Sequence, residues 1–411
     1  YTKFVMTDYH HTSTDNDGNF SDSQQELPFN HPTLGDLLAK VSVQIDLAET
    51  ADADWPQFPH NIGTALFKNI LFKYDNAEIE NVSSEYINFT SMLNNSKSFN
   101  STYDIVGTSA PHELVCNNGN NYQRMALSGG VFTPKTMVPT PGGAIFGKMK
   151  AIVPIPFSFS KNIGSAFPLF LLTKTDVNIL LQANQFGGLF HTDATENAAK
   201  VELFKFSLIF KYIYLSEDER NRFKSSPQEY LVEKVKFSDT IRLNKRVKID
   251  FRSVVPNLPV KCIYLVNKSK DDDDTSIQLY NNYKYQFFIR GVNLQQQPLP
   301  HEYYSKLNII ENFKGCVYDK WDQPGALGND VTRPSINSNI AYIPLNLKNA
   351  EGPSGCINTG TNEFRMEVTF RAEDPSPGYN VDNTDIYIYL VYYSIMRISE
   401  NKHLSFPYGN N

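Results

Sequence analysis

His112-Glu113-Leu114-Val115-Cys116 places an imidazole, a carboxylate and a thiol within five residues, the groups of a metal site or a thiol nucleophile. The run lacks the second histidine of an HExxH zinc helix. A cysteine nucleophile also needs a histidine partner that this spacing does not supply, so a loop-to-strand junction is the simpler reading. His10-His11 sets two imidazoles side by side, but neighbours in a strand point to opposite faces, which argues against a shared metal. Asp271 to Asp274 is a run of four carboxylates. A calcium loop of the EF-hand type alternates its ligands around a glycine turn and closes with a distant glutamate; four contiguous acids read instead as a solvated loop tip. There is no G-x-S-x-G elbow, Walker loop or G-x-G-x-x-G opening a helix, and Gly142-Gly143 and Gly187-Gly188 read as turns. The expectation is a protein without catalytic residues, metal or cofactor.

Cys116, Cys262, Cys316 and Cys356 are far apart and form no C-x-x-C pair, so they are expected to be small buried hydrophobes in a reducing compartment. Asn19, Asn81, Asn88, Asn94, Asn100 and Asn267 each begin an N-x-S/T triplet and are candidate N-glycosylation sites. Four of them, Asn81 to Asn100, fall in the polar stretch from Asn76 to Tyr103, which reads as one loop.

The elements that must position such residues are written in period two. Val41, Val43, Ile45 and Leu47 alternate with Ser42, Gln44 and Asp46. Phe204, Phe206, Leu208, Phe210, Tyr212 and Tyr214 share one face of a long run. Val247, Ile249 and Phe251 follow, then Tyr283, Tyr285, Phe287 and Ile289, then Phe364, Met366, Val368 and Phe370 against Glu363, Arg365, Glu367 and Thr369. Alternation of this kind marks strands with one face in a core, and many such strands with few helical patterns indicate all-β sandwiches, of which the jelly roll is the eight-stranded form. Composition agrees: of 411 residues, 41% are hydrophobic and 13% aromatic, with 28 Phe and 23 Tyr against two Trp, a bias that favours strands. The stretches Asn117 to Gly130 and Asp322 to Ser338 read as further long polar loops. No internal sequence repeat is apparent.

A net charge of −6 argues against a surface that neutralises phosphates, so no direct nucleic-acid contact is expected. The longest apolar stretch, Ala166 to Leu172, is far below the roughly 20 residues that span a bilayer. Residues 1–30 contain no apolar core of a secretory signal. The sequence opens on Tyr1 rather than Met, so its native start is expected to lie elsewhere.

One segment breaks the β pattern. Ser216-Glu217-Asp218-Glu219-Arg220-Asn221-Arg222-Phe223 reads as a short capped helix, with Ser216 as N-cap and Glu219 reaching back to it. Glu217, Asp218 and Glu219 lie at the positive end of its dipole and Arg220, Arg222 and Lys224 approach the negative end, and Pro227 prevents continuation. With Glu229-Tyr230-Leu231-Val232-Glu233 after it, the segment resembles the DERRRF…EYLIEQ stretch of the double jelly-roll major capsid proteins of nucleocytoplasmic large DNA viruses. Four further stretches resemble that family in its order. They are Gly35-Asp36-Leu37-Leu38 (its GDLI element), Pro154-Ile155-Pro156-Phe157-Ser158-Phe159-Ser160-Lys161-Asn162 running on through Ala166-Phe167-Pro168-Leu169 (LPFWFCRNPGLALPLIAL), Gly352-Pro353-Ser354-Gly355-Cys356-Ile357-Asn358 (PSGxxNFSRI), and Ile386 through Ile398 (the terminal strand carrying NYNVLRI).

The resemblance implies two consecutive eight-stranded jelly rolls: residues 1–214, a linker with a short helix at 215–230, and residues 231–411. It implies a structural subunit that trimerises into pseudo-hexameric capsomers and tiles an icosahedral shell. The implied partners are two further copies, neighbouring capsomers, penton and minor capsid proteins, and an internal membrane. The implied location is the virion, assembled in the host cell. Two departures stand out. Only Lys3, Tyr9, His11 and Thr12 echo the family's N-terminal segment, and Ser158 and Ser160 stand where its FWFCRN run has Trp and Cys, a change expected to shift packing without loss of a strand. The competing reading is a carbohydrate-binding β-sandwich surface protein. It calls for a signal peptide, paired cysteines or a carboxylate pair at a sugar cleft, none of which is apparent, and it leaves the helix unexplained.

Overall fold

The computed structural model describes residues 2–10, 26–30, 35–47, 67–75, 77–93, 149–172, 177–183, 204–242, 246–251, 257–269, 283–301, 303–313, 340–347, 353–360, 362–370, 384–399 and 404–406. The chain divides into two compact units: Tyr1–Val232 with Met396–Ser405, and Glu233–Ile395 with Phe406–Asn411. The charged helix therefore lies within the first unit, and a short late stretch returns to that unit.

Among the described residues, the sandwich of the first unit has eight strands: β1 (Thr2–His10), β2 (Glu26–Asn30), β3 (Leu37–Leu47), β4 (Phe67–Tyr74), β5 (Ala77–Ser83), β6 (Met149–Ile155), β7 (Val177–Ala183) and β8 (Phe204–Ile213). They form two four-stranded sheets, in the orders β1-β8-β3-β6 and β2-β7-β4-β5, with antiparallel neighbours throughout. Strands that are distant in sequence pair inside each sheet, and consecutive strands alternate between sheets up to β4. This is the jelly-roll winding. The predicted alternation holds where side chains are described: Val41, Val43, Leu208, Phe210 and Tyr212 are all buried. A register shift between Leu38 and Lys40 inserts Ala39 as an extra residue. The bulge lets Leu38 and Val41, three residues apart, both be buried in the sandwich, while Leu37 and Ala39 join a separate small cluster with Ala166.

In the second unit the described strands are β9 (Gln228–Arg242), which begins in the first unit, β10 (Arg246–Asp250), β11 (Pro259–Ser269), β12 (Tyr283–Ile289), β13 (Val292–Asn293), β14 (Leu299–Pro300), β15 (Ile340–Pro344), β16 (Ile357–Asn358), β17 (Phe364–Phe370) and β18 (Thr384–Ile398), whose last three residues belong to the first unit, as does the short β19 (Leu404–Ser405) that pairs with them. One sheet runs β10-β17-β12-β13. The other runs β9-β18-β11-β15, with β14, β16 and β19 as short additions on β12, β11 and β18. With these three additions set aside, the strands taken as first to eighth lie in the orders 1-8-3-6 and 2-7-4-5, the same as in the first unit. Ile249, Phe251, Ile263, Leu265, Tyr285, Phe287, Phe364, Met366, Val368, Ile386, Ile388 and Leu390 fill the interior between the two sheets.

Helices also correspond. Ser84–Leu93 follows the fifth strand of the first unit. Tyr303–Leu307 and Asn308–Asn312 together form the helical segment between the fifth and sixth strands of the second. The stretch read as a loop from Asn76 to Tyr103 thus contains strand β5 and a helix. The helix starts because the Ser83 hydroxyl accepts the Tyr86 N–H at 3.2 Å, a serine cap at a strand end.

Candidate functional site

The motifs that are scattered in sequence meet at joints. Asp36, 7% exposed, accepts the Leu215 N–H at 2.7 Å and the Arg220 Nη2 at 2.9 Å through the same carboxylate oxygen. The GDL element and the charged helix, 184 residues apart, are therefore one construction. Gly35 is required beside it: a Cβ there would stand 2.5 Å from the Tyr212 Cβ and 2.8 Å from its Cγ. Burial pushes the Tyr212 phenol above its ordinary range. The helix Glu217–Lys224 has the capping box read from sequence. Ser216 Oγ accepts the Glu219 N–H at 3.3 Å, and the Glu219 carboxylate accepts the Ser216 N–H at 2.8 Å. These contacts hold the Glu219 carboxyl below its usual value, the Ser216 backbone N–H first and its hydroxyl second. On the inner side Phe223 meets Phe170 edge-on, with ring centroids 6.0 Å apart.

Past the helix, Glu229 pairs with Arg397 at 2.6 Å, which ties the EYLVE run to the terminal strand. Glu233 of the same run reaches Lys261 at 2.5 Å on the next strand but one. The third joint is the Phe157–Asn162 run. It is not a strand, as the resemblance had suggested, because β6 ends at Ile155 and Ser158–Ser160 forms a 3-10 turn. Ser158 supplies the reason. Its N–H and hydroxyl donate three bonds of 2.8 to 3.0 Å to the carboxylate of Glu80, itself 5% exposed. A buried carboxylate is tolerated only when so satisfied. Phe157, Phe159 and Phe167 pack around Phe72, with centroids 5.0 to 5.5 Å from it.

The described part of the PSG motif, Pro353–Asn358, contains a turn built on a glycine. Gly355 has φ +129°, open to glycine and strained for other residues. Close behind, Thr359 is fully buried, and its hydroxyl and N–H bind the backbone of Leu258. A Cβ on Gly360 would fall 1.6 Å from Asn257 Oδ1 and 2.8 Å from its Cα.

Of the six candidate glycosylation sites, Asn81 lies exposed on β5. Asn88 is on the helix Ser84–Leu93, where the Thr90 of its triplet is buried and donates its hydroxyl to the Tyr86 carbonyl at 2.5 Å. The single-loop placement of these two is therefore corrected: one is on a strand and one on a helix. Asn267 is in β11. Asn19, Asn94 and Asn100 lie outside the described residues, as do His11, His112-Glu113, Cys116, Cys316, Asp271 to Asp274 and the two polar stretches 117–130 and 322–338. His10 is in β1. Cys262 is buried as expected, but Cys356 is exposed because it sits in the Gly355 turn, and neither is in a disulfide. Among the described residues no three His, Cys, Asp or Glu gather as metal ligands, and no helix is long and apolar enough to cross a membrane. Sequence reasoning missed the Glu80–Ser158 and Asp36–Arg220 pairs; the sole signal was that each contributes to a quoted motif.

Two sandwiches of identical winding joined by a capped, motif-bearing helix define the double jelly-roll class. The PBCV-1 virus capsid chain shares this fold over 100% of this chain and 98% of its own, at TM-score 0.64 and 14% identity. The Faustovirus major capsid protein does so over 97% and 90%, at TM-score 0.58 and 11% identity. In sequence, the major capsid protein of Pyramimonas orientalis virus is 26% identical over 274 residues, which are 65% of this chain and 63% of that protein. Capsid protein 1 of Acanthamoeba polyphaga mimivirus is 32% identical over 122 residues, 28% of this chain and 20% of that one. The chain thus spans less than two thirds of the length of these two sequence relatives, and no family model matches it. The likeness to the double jelly-roll major capsid proteins of large DNA viruses extends over the whole chain in fold and about two thirds of it in sequence.

Proposed function

We propose that this chain is the major capsid subunit of a large DNA virus, structural rather than catalytic, and resident in the virion shell. The observation that carries the reading is the repeated strand order of the two units, together with relatives named as major capsid proteins. Three copies of a chain with two like sandwiches present six like edges, so one gene product can occupy hexagonal positions in a lattice. Permanent interfaces of this kind bury on the order of 2,000 Å² or more. Neighbouring capsomers, penton and minor capsid proteins, and a membrane beneath the shell are the proposed partners. The net charge of −6 supports a shell surface not devoted to nucleic acid. Where the host route supplies glycans, Asn81 is the proposed first acceptor, since its side chain is exposed on β5.

Light scattering on the eluting protein tests the assembly. A particle near three times 46.7 kDa, hexagonal in negative-stain images, is expected. A monomer that binds glycan arrays would instead favour the carbohydrate-binding sandwich.

A further inference from the structure

We infer that the outer face of the helix Glu217–Lys224 is a self-complementary contact for a second copy of this chain, related by a two-fold axis. Its setting between neighbouring capsomers rests on the capsid reading above; the contact itself does not.

The inner side of this helix is already used, with Arg220 on Asp36 and Phe223 on Phe170. At 3.6 residues per turn, Asp218, Asn221 and Arg222 lie opposite those two, with Glu217 and Lys224 along one flank. No residue of the helix is buried. None of Glu217, Asp218, Arg222 and Lys224 is held in an ion pair among the described residues. Each row therefore runs from an acid to a base: Asp218 to Arg222 on the outer face, and Glu217 to Lys224 on the flank.

An isologous contact requires a surface that is its own complement, and this pattern provides one. Laid antiparallel on its copy, Asp218 meets Arg222 of the second helix and Arg222 meets its Asp218, the two positions being about 6 Å apart along the axis. Asn221 then falls near the two-fold, where a side-chain amide can both donate to and accept from its own copy. The helix dipole also favours acids first and bases last, so the test must separate the two causes.

Two variants of the full chain do so: an acidic one, Arg222→Glu with Lys224→Glu, and a basic one, Glu217→Lys with Asp218→Lys. Each is assembled separately, its fold is checked by circular dichroism, and its association is read by sedimentation at low salt and at 1 M NaCl. The wild-type particles are expected to associate further at low salt and to lose this at 1 M, where charges are screened beyond about 3 Å. Each variant alone is expected to associate about tenfold more weakly, and an equimolar mixture of the two to recover. The fourfold exchange, Glu217→Lys, Asp218→Lys, Arg222→Glu and Lys224→Glu, opposes the dipole yet restores self-complementarity, and is expected to associate like wild type.

Wild-type particles that never associate, single variants that match wild type, or a mixture and a fourfold exchange that both stay weak would each overturn the contact. Chains that remain monomeric but pair in this charge-dependent way would keep the contact and end the trimer.

Discussion

The two sandwiches share a winding and differ in how their connections are locked. In the first, the link from the sixth to the seventh strand is a series of 3-10 turns clamped by the Glu80 carboxylate and wedged by four phenylalanines. In the second, the same link is a glycine turn at Gly355 followed by Thr359 bonded to the Leu258 backbone. An Ile-Pro pair marks the end of both sixth strands: β6 stops at Ile155 just before Pro156, and β15 closes on Ile343-Pro344. The difference teaches that strand order tolerates almost any apolar filling of suitable volume, whereas each connection needs its own polar or steric device.

Breaking one interior at a time should give the largest effects. Phe72→Ala is expected to cost about 3–5 kcal/mol and Phe364→Ala a similar amount, since both side chains are fully buried. Hydrogen exchange read strand by strand checks this. Protection should fall in β4 and β7 for the first variant and in β12 and β17 for the second, and equal losses in both units would show that they open as one. Next come the close approaches. Gly35→Ala against Tyr212 and Gly360→Ala against Asn257 are each expected to cost about 1–3 kcal/mol by overpacking, seen as lower denaturant midpoints with unchanged slope.

Asp36→Ala leaves the Leu215 N–H and the Arg220 guanidinium without their acceptor, an expected loss of about 1–3 kcal/mol confined to the first unit. A loss shared by the second unit would break the comparison. The smallest effect is the cap. Ser216→Ala should cost about 1 kcal/mol of helix stability. The lowered Glu219 value adds a pH signature: its contribution is complete above the ordinary glutamate range and fades as pH falls through the folded-state value. Amide shifts of residues 216–220 followed on acidification should show that fade in the wild type and lose it in Ser216→Ala.

Strands were legible because burial on one face imposes period two, and Phe364, Met366 and Val368 lie where the pattern put them. Exposure was less legible. Gln44 and Glu367 fall on the polar side of their alternations yet are 4% and 6% exposed, so the period reports orientation rather than contact with water. The helix Ser84–Leu93 was missed because its Asn, Ser and Thr residues read as loop formers. In place, Ser83 caps it and Thr90 turns its hydroxyl back onto the Tyr86 carbonyl. The helix at 217–224 was read correctly because its cap is local, three residues from donor to acceptor. Asp36 and Glu80 were not, since their partners lie 184 and 78 residues away. The duplication itself left no repeat in the sequence, for a core position constrains size and polarity far more than identity.

The eighth strand of each sandwich sits between its first and third, at the centre of a sheet. During synthesis the earlier sandwich has all eight of its strands once residue 213 has left the ribosome, while the later one waits for β18 at 384–398. Until then β9 and β11 lack the strand that separates them, and their unpaired edges are open to the wrong neighbour. A nascent polypeptide of this design is most prone to misassociation in the interval between those two moments, when one half is closed and the other is missing its keystone.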